Sequence, residues 1–240
     1  MKEVHADRGS GQTFDHSPFD VLLRKQVDAA GLVDYAALSA DPAQLDRYIA
    51  NLGRADFSAL GRDEKLALLI NAYNAFTLRL ILDHWQGGAL ASIKDIPASQ
   101  RWKAVRWKIG ASRWSLDQIE HQQIRAKFRD PRIHFALVCA AKGCPPLRAE
   151  AYVAARLEEQ LADQTRRVHG DRRWLRYDAA TNALQLTQLY QWYGGDFEQV
   201  AGSVPSYVAR QVPGVAAALS RGQRPDLDWL DYDWSLNARR

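Results

Sequence analysis

The chain has 240 residues, of which 47% are hydrophobic and 25% charged, which excludes a disordered chain and allows one large domain or two small ones. Its net charge is +4 and its pI about 9.1, a mild basicity that a solvated surface accounts for without a nucleic-acid partner. No apolar run reaches the ~18 residues of a membrane span, and two cysteines are too few to decide the redox compartment.

Residues 1–16 are polar and read as a flexible leader without the apolar middle of a signal peptide. Residues 17–240 read as a single α+β domain. Phe19 to Ala30 has a helical pattern and Gly31 to Tyr35 an extended one. Asp41-Pro42 opens a helix running to about Leu52. The longest helix starts at Asp63 and ends before Gly87-Gly88. Apolar residues cover nearly its whole circumference, so it is expected to be buried on most sides. Asn71 and Asn74 interrupt it. Buried amides need partners, which are either nearby backbone or the residues of a site.

Residues 101–114, RWKAVRWKIGASRW, read as a hairpin turning near Gly110. Its interleaved basic and aromatic residues favour a half-buried sheet, with Lys and Arg stems over rings, above a base-stacking surface. A helix capped by Ser115 and Gln118 follows, to about Phe128. PRIHFALVCAA then reads as a central strand. Residues 150–169 are helical, 173–187 form a hairpin turning at Thr181-Asn182, and shorter helical pieces cover QLYQWYGGDF and Pro205 to Val212.

The two cysteines, Cys139 and Cys144, stand in HFALVCAAKGCPPL. On a regular strand, side chains alternate, so His134 would point away from Cys139. On the preceding helix Glu120 falls within the apolar arc, His121 at its edge and Arg125 one turn further on, at about 100° per residue. Cys139 can thus be a nucleophile with His121 as its base and Glu120 in support. Core packing, a Cys139–Cys144 disulfide and a zinc site with His121 and His134 are the alternatives.

SLDQIEHQQIR, PRIHFALVCAAKGCPPLRAEAY, LLINAYNAFTLRLIL, QWYGGDF and YDWSLN together resemble the family catalogued as domain of unknown function 547, over roughly residues 20–237. The resemblance implies an α+β fold with a papain-like or transglutaminase-like core, its helices packed on a mostly antiparallel sheet. It also implies a Cys-His-Glu set. The pattern Ile-Glu-His-x-x-x-Arg falls on Ile119, Glu120, His121 and Arg125, and His-Phe-Ala-Leu-x-Cys falls on His134 to Cys139. The residue after the cysteine, often Gly in the family, is Ala140 here. Position 144 can be Ser in plant members, which favours Cys139 as nucleophile.

The resulting expectation is a cysteine-dependent hydrolase or acyltransferase acting on an amide or thioester of a small peptide or thiol-containing peptide. Cys139, His121 and Glu120 would be catalytic; Asn71, Asn74, Arg125 and Arg148 would contact substrate, with no metal or cofactor. The alternative is a non-catalytic peptide- or protein-binding module with structural cysteines. Export to the periplasm or beyond is the location the resemblance implies, with the cytoplasm as the alternative. No specific nucleic-acid partner and no membrane span are expected.

Overall fold

The computed structural model describes residues 3–4 and 12–239. Most of the expected leader therefore lies outside the described residues. Within residues 12–16, the His16 ring is buried and its Nδ1 lies 2.7 Å from the Tyr48 hydroxyl.

The helices come first along the chain: α1 (Ser17–Gln26), α2 (Tyr35–Ala40), α3 (Ala43–Leu52), α4 (Arg62–Asp83) and the short α5 (Ala98–Arg101). The hairpin β1 (Trp107–Ile109) and β2 (Ser112–Trp114) follows, then α6 (Leu116–Gln118), α7 (Ile133–Ala136) and α8 (Leu157–His169). The last third holds β3 (Leu175–Asp178), β4 (Ala183–Thr187), α9 (Leu189–Trp192), α10 (Gly194–Ala201), α11 (Val204–Val208), α12 (Pro213–Ser220) and β5 (Asp226–Leu230). This is an α+β fold in which helices dominate.

The strands form two small sheets, of two and three strands, rather than the one sheet expected, and two of the three pairings are antiparallel. β1 and β2 pair antiparallel, as do β3 and β4, but β5 joins β4 in parallel. The structural centre is α4, where Leu66 to Leu78 is buried without a break. By length and composition alone α4 could also cross a membrane; in this fold its apolar surface is taken up by protein.

A large apolar cluster surrounds α4, and a second gathers around Phe135, Val168, Trp174, Leu186 and Phe197. Ile133 and Ala136 belong to the first cluster and Phe135 to the second. The segment leading to Cys139 is therefore wedged between the two.

That segment is not a strand. Asp130-Pro131 opens a helical turn, with the His134 N–H donating to Pro131 O and the Leu137 N–H to Ile133 O. Beyond it, no neighbouring strand supplies the ladder. The Asn74 side chain does so instead, donating to Ala136 O (3.0 Å) and accepting from the Val138 N–H (2.9 Å). The alternation that set His134 against Cys139 thus does not apply.

The C-terminal segment closes over this region. The Gly143 N–H donates to Asp233 O, the Lys142 N–H to Ser235 O and the Asn237 N–H to Ala140 O. A Cβ on Gly143 would stand 2.8 Å from the Asp233 nitrogen and 2.9 Å from the Tyr232 ring, so the tail approaches this closely only because residue 143 is glycine.

Candidate active site

A cavity of about 340 Å³ opens beside Cys139. Its wall carries His134, His121, Glu120, Asp117 and both sulfurs, with Trp102, Trp192, Tyr193, Tyr232 and Trp234 as aromatic surface. Six stretches of the chain meet here: α4 at Tyr73, the segment after α5 at Trp102 and Lys103, the helix after Ser115, the 134–144 segment, α9 with its following turn, and the C-terminal tail.

The helix after Ser115 begins as predicted. Ser115 Oγ accepts from the Gln118 N–H, and Gln118 Oε1 accepts from the Ser115 N–H. From Ile119 to Arg125 the backbone then widens into a π-helix, a form frequent at functional sites. Its i→i+5 spacing turns less per residue than an α-helix, so the divergence of about 100° expected between Glu120 and His121 is reduced. Both side chains reach the same cavity.

His121 is already engaged. Its Nδ1 lies 3.0 Å from Arg125 Nη1, and a guanidinium only donates. Nδ1 must therefore be the unprotonated nitrogen, and Nε2, 3.6 Å from Asp117 Oδ1, carries the proton. Neutral His121 has no lone pair left for a thiol proton.

His134 is placed differently. It is 2% exposed, and its ring stacks on Tyr193 at 4.0 Å and 12°. Its Nε2 lies 2.8 Å from Asp196 Oδ2, so Nε2 carries the proton and Nδ1 holds a free lone pair. Burial lowers the His134 pKa below the usual imidazole value despite the nearby carboxylate, so the ring is neutral at pH 7. Burial works against the charge of Asp196 as well. Hydrogen bonds from His134 and from the bidentate Arg125 (2.7 and 3.1 Å) nevertheless hold its carboxyl well below the ordinary range.

The two sulfurs form a unit. Cys139 is half-buried and Cys144 buried, both as free thiols. The Tyr232 hydroxyl stands 3.4 Å from Cys139 Sγ and 3.0 Å from Cys144 Sγ, and the Cys139 N–H donates to Cys144 Sγ at 3.1 Å. The hydrogen bond to Cys144, followed by burial, pushes the Cys139 thiol up. Burial opposes ionisation of Cys144 too, but hydrogen bonds from Cys139 and Tyr232 outweigh it and bring that thiol down. Cys139 thus keeps its proton until a base removes it. The next residue, Ala140, has φ of 62°, a left-handed conformation that costs an L-residue about 1–2 kcal/mol and explains a preference for glycine at this position.

The other predicted site residues have different partners. Asn71 donates to Tyr152 O and accepts from the Tyr152 N–H. Asn74 spans Ala136 and Val138. Both are buried backbone clamps rather than substrate contacts, although Asn74 fixes the backbone one residue before Cys139. Arg125 commits its fork to Asp196 and stacks 4.8 Å from Tyr193. Arg148 is paired with Glu150 and Asp163 and does not line the cavity. Glu120 lies on the cavity wall with Tyr73 and Tyr193, and its charge acts on His134 through space.

Asp196, Tyr193, Tyr232 and Trp234 were not singled out from the sequence. They stand within QWYGGDF and YDWSLN, motifs whose match to the family carried no role for any one residue. No group of three or more His, Cys, Asp or Glu among the described residues is arranged to hold a metal ion, and the Cys139–Cys144 pair with both histidines does not form one. In the basic hairpin, the Arg106 guanidinium lies 4.1 Å from the Trp107 ring, itself buried and stacked on Phe76.

A sequence model of the family described as "Protein of unknown function, DUF547" matches residues 57–167. The match supports that family over this stretch, a narrower span than residues 20–237. It includes Glu120, His121, His134 and both cysteines but stops short of Asp196 and Tyr232. No curated protein and no solved structure matches the chain.

Proposed function

We propose that the protein is a thiol-dependent acyl hydrolase or acyltransferase with Cys139 as nucleophile, His134 as general base and acid, and Asp196 as the group that orients it. The observation that carries this reading is the 2.8 Å contact between His134 Nε2 and Asp196, on an imidazole that shares a cavity with Cys139. An imidazole held on one nitrogen, here by a carboxylate, and open on the other is the arrangement that triads share, papain-like enzymes using an Asn in the holding role. Relative to the sequence-based assignment, the base moves from His121 to His134 and the orienting carboxylate from Glu120 to Asp196.

In the first half-reaction, His134 Nδ1 takes the Cys139 proton as sulfur attacks the carbonyl carbon of an amide or thioester. The C–S bond forms, the bond to the leaving nitrogen or sulfur breaks, and the imidazolium returns the proton to that leaving group. Water, or an acceptor amine or thiol, then attacks the acyl-sulfur bond with the same imidazole as base, and the Cys139 thiol is restored. Because Cys139 holds its proton at rest, proton removal belongs to the attack rather than to a preformed ion pair. The cavity volume suits a donor of one or two residues, in keeping with a small peptide or thiol-containing peptide.

The test is acyl-adduct mapping by mass spectrometry after incubation with small peptide thioesters. The adduct is expected on Cys139 in the wild type and in Cys144→Ser, and neither adduct nor turnover in Cys139→Ser. His134→Ala should slow acylation by about 10²–10⁴-fold, and His121→Ala by much less. An adduct confined to Cys144, or no adduct at all while peptides still bind, would replace this reading with the peptide-binding module.

A further inference from the structure

The cavity's own charge runs against that of the molecule. The chain carries a net charge of +4, yet Asp117 and Glu120 face the cavity against Lys103 alone among lysines and arginines. Glu120 stands out because its neighbouring cation is spent: Arg125 is already bidentate to Asp196 and bonded to His121. Around the Glu120 carboxylate the cavity wall is formed by Tyr73 and Tyr193, and its charge acts on His134 through space. A half-buried carboxylate so placed, one aromatic ring away from His134, is completed by a cation from outside.

We infer that the acyl donor carries a free amine, bound as an alkylammonium by Glu120 and the aromatic wall. This rests on the acyl-transfer reading of the same cavity. Two features select the class. Opposite charge and ring faces favour a cation and disfavour a substrate carboxylate. The apolar faces of Trp192 and Tyr193 suit the short hydrocarbon stem of an aminoacyl group. Glu120 is then a specificity residue, and the donor is an aminoacyl amide or thioester.

The experiment compares alanyl and β-alanyl thioesters, each with the amine free or acetylated, on the wild type and Glu120→Gln at pH 7. The wild type should prefer the free amine by about tenfold or more in kcat/KM (about 1.4 kcal/mol), carried by KM. That ratio should fall toward one in Glu120→Gln. A wild-type preference for the acetylated donor, or a ratio that survives the substitution, overturns the inference. So does acceleration of acetylated-donor turnover by a free alkylamine, since the ammonium would then belong to the acceptor. Failure of the underlying chemistry shows separately, as absence of any adduct on Cys139. Alaninamide binding to Cys139→Ala, read by quenching of tryptophan fluorescence, then decides the ammonium site alone: quenching lost with Glu120→Gln upholds it, and no quenching refutes it.

Discussion

Replacing Asp196 with Asn removes one negative charge while keeping the shape of the side chain. The carboxylate accepts three hydrogen bonds, at 2.7 and 3.1 Å from Arg125 and 2.8 Å from His134. Hydrogen bonds to charged groups contribute about 1.5–3 kcal/mol each, and breaking one side of a buried pair costs about 3–5 kcal/mol. The Asp196 and Arg125 side chains are 22% and 28% exposed, so water recovers part of this, and about 2–4 kcal/mol is the expected loss. For a chain of this length that is a fall of about 5–15 °C in melting temperature. Since Asp196 ionises at lower pH in the folded than in the unfolded chain, its contribution is complete above the unfolded value of 3.8 and fades as pH falls through the lower folded value. The deficit of Asp196→Asn should therefore be largest at pH 7 and narrow below about pH 4. The functional loss should exceed what stability explains. An amide at position 196 lacks the charge that stabilises the imidazolium formed at His134, with about 10³–10⁴-fold lower kcat. Urea unfolding between pH 3 and 8, with kcat/KM on a thioester, measures both. A variant within about 0.5 kcal/mol of wild type at every pH, with kcat retained, would refute the role given to Asp196.

The remaining expectations concern the residues around the thiol pair. Because burial lowers the His134 pKa below 6.5, the acid limb of the kcat/KM–pH profile should lie below that value, and a limb at or above it would point to another base. Tyr232→Phe removes the hydroxyl that both sulfurs share, so the Cys144 thiol should ionise at higher pH, read from thiolate absorbance across a pH titration. Asn74→Ala leaves Ala136 O and the Val138 N–H buried without partners, which should cost about 2–5 kcal/mol in urea unfolding and lower the acylation rate of Cys139. Gly31→Ala should cost about 2–4 kcal/mol in the same measurement, since φ is +81° and the new Cβ would stand 2.5 Å from Pro146 Cβ.

What the sequence discloses depends on whether a residue's partner is near it along the chain. The Ser115–Gln118 cap, the turns at Gly110 and Asn182 and the burial of α4 rest on spacing within a few residues, and each is found. The 131–141 stretch fails for the complementary reason. Its apolar residues satisfy a strand pattern, but Ala136 O and the Val138 N–H are taken by a side chain from α4, 62 and 64 residues away, and no periodicity encodes such a pairing. The π-helix fails likewise, because a 100° step assumes the α form that Ile119 to Arg125 abandons.

The same distinction separates the two histidines. His121 stands next to Glu120, four residues from Arg125 and four from Asp117, and that local company makes it look catalytic. In the folded chain those neighbours consume its lone pair. His134 has no acidic neighbour within three residues, and its carboxylate comes from α10, 62 positions later. A base in a triad needs one nitrogen held and the other free. Residues adjacent in sequence to His121 bind its acceptor nitrogen, whereas the distant Asp196 holds the donor nitrogen of His134 and leaves the acceptor open. The assignment of roles is thus a property of the tertiary contacts between α7 and α10, while the residue types at the cavity were legible from the motifs that contain them.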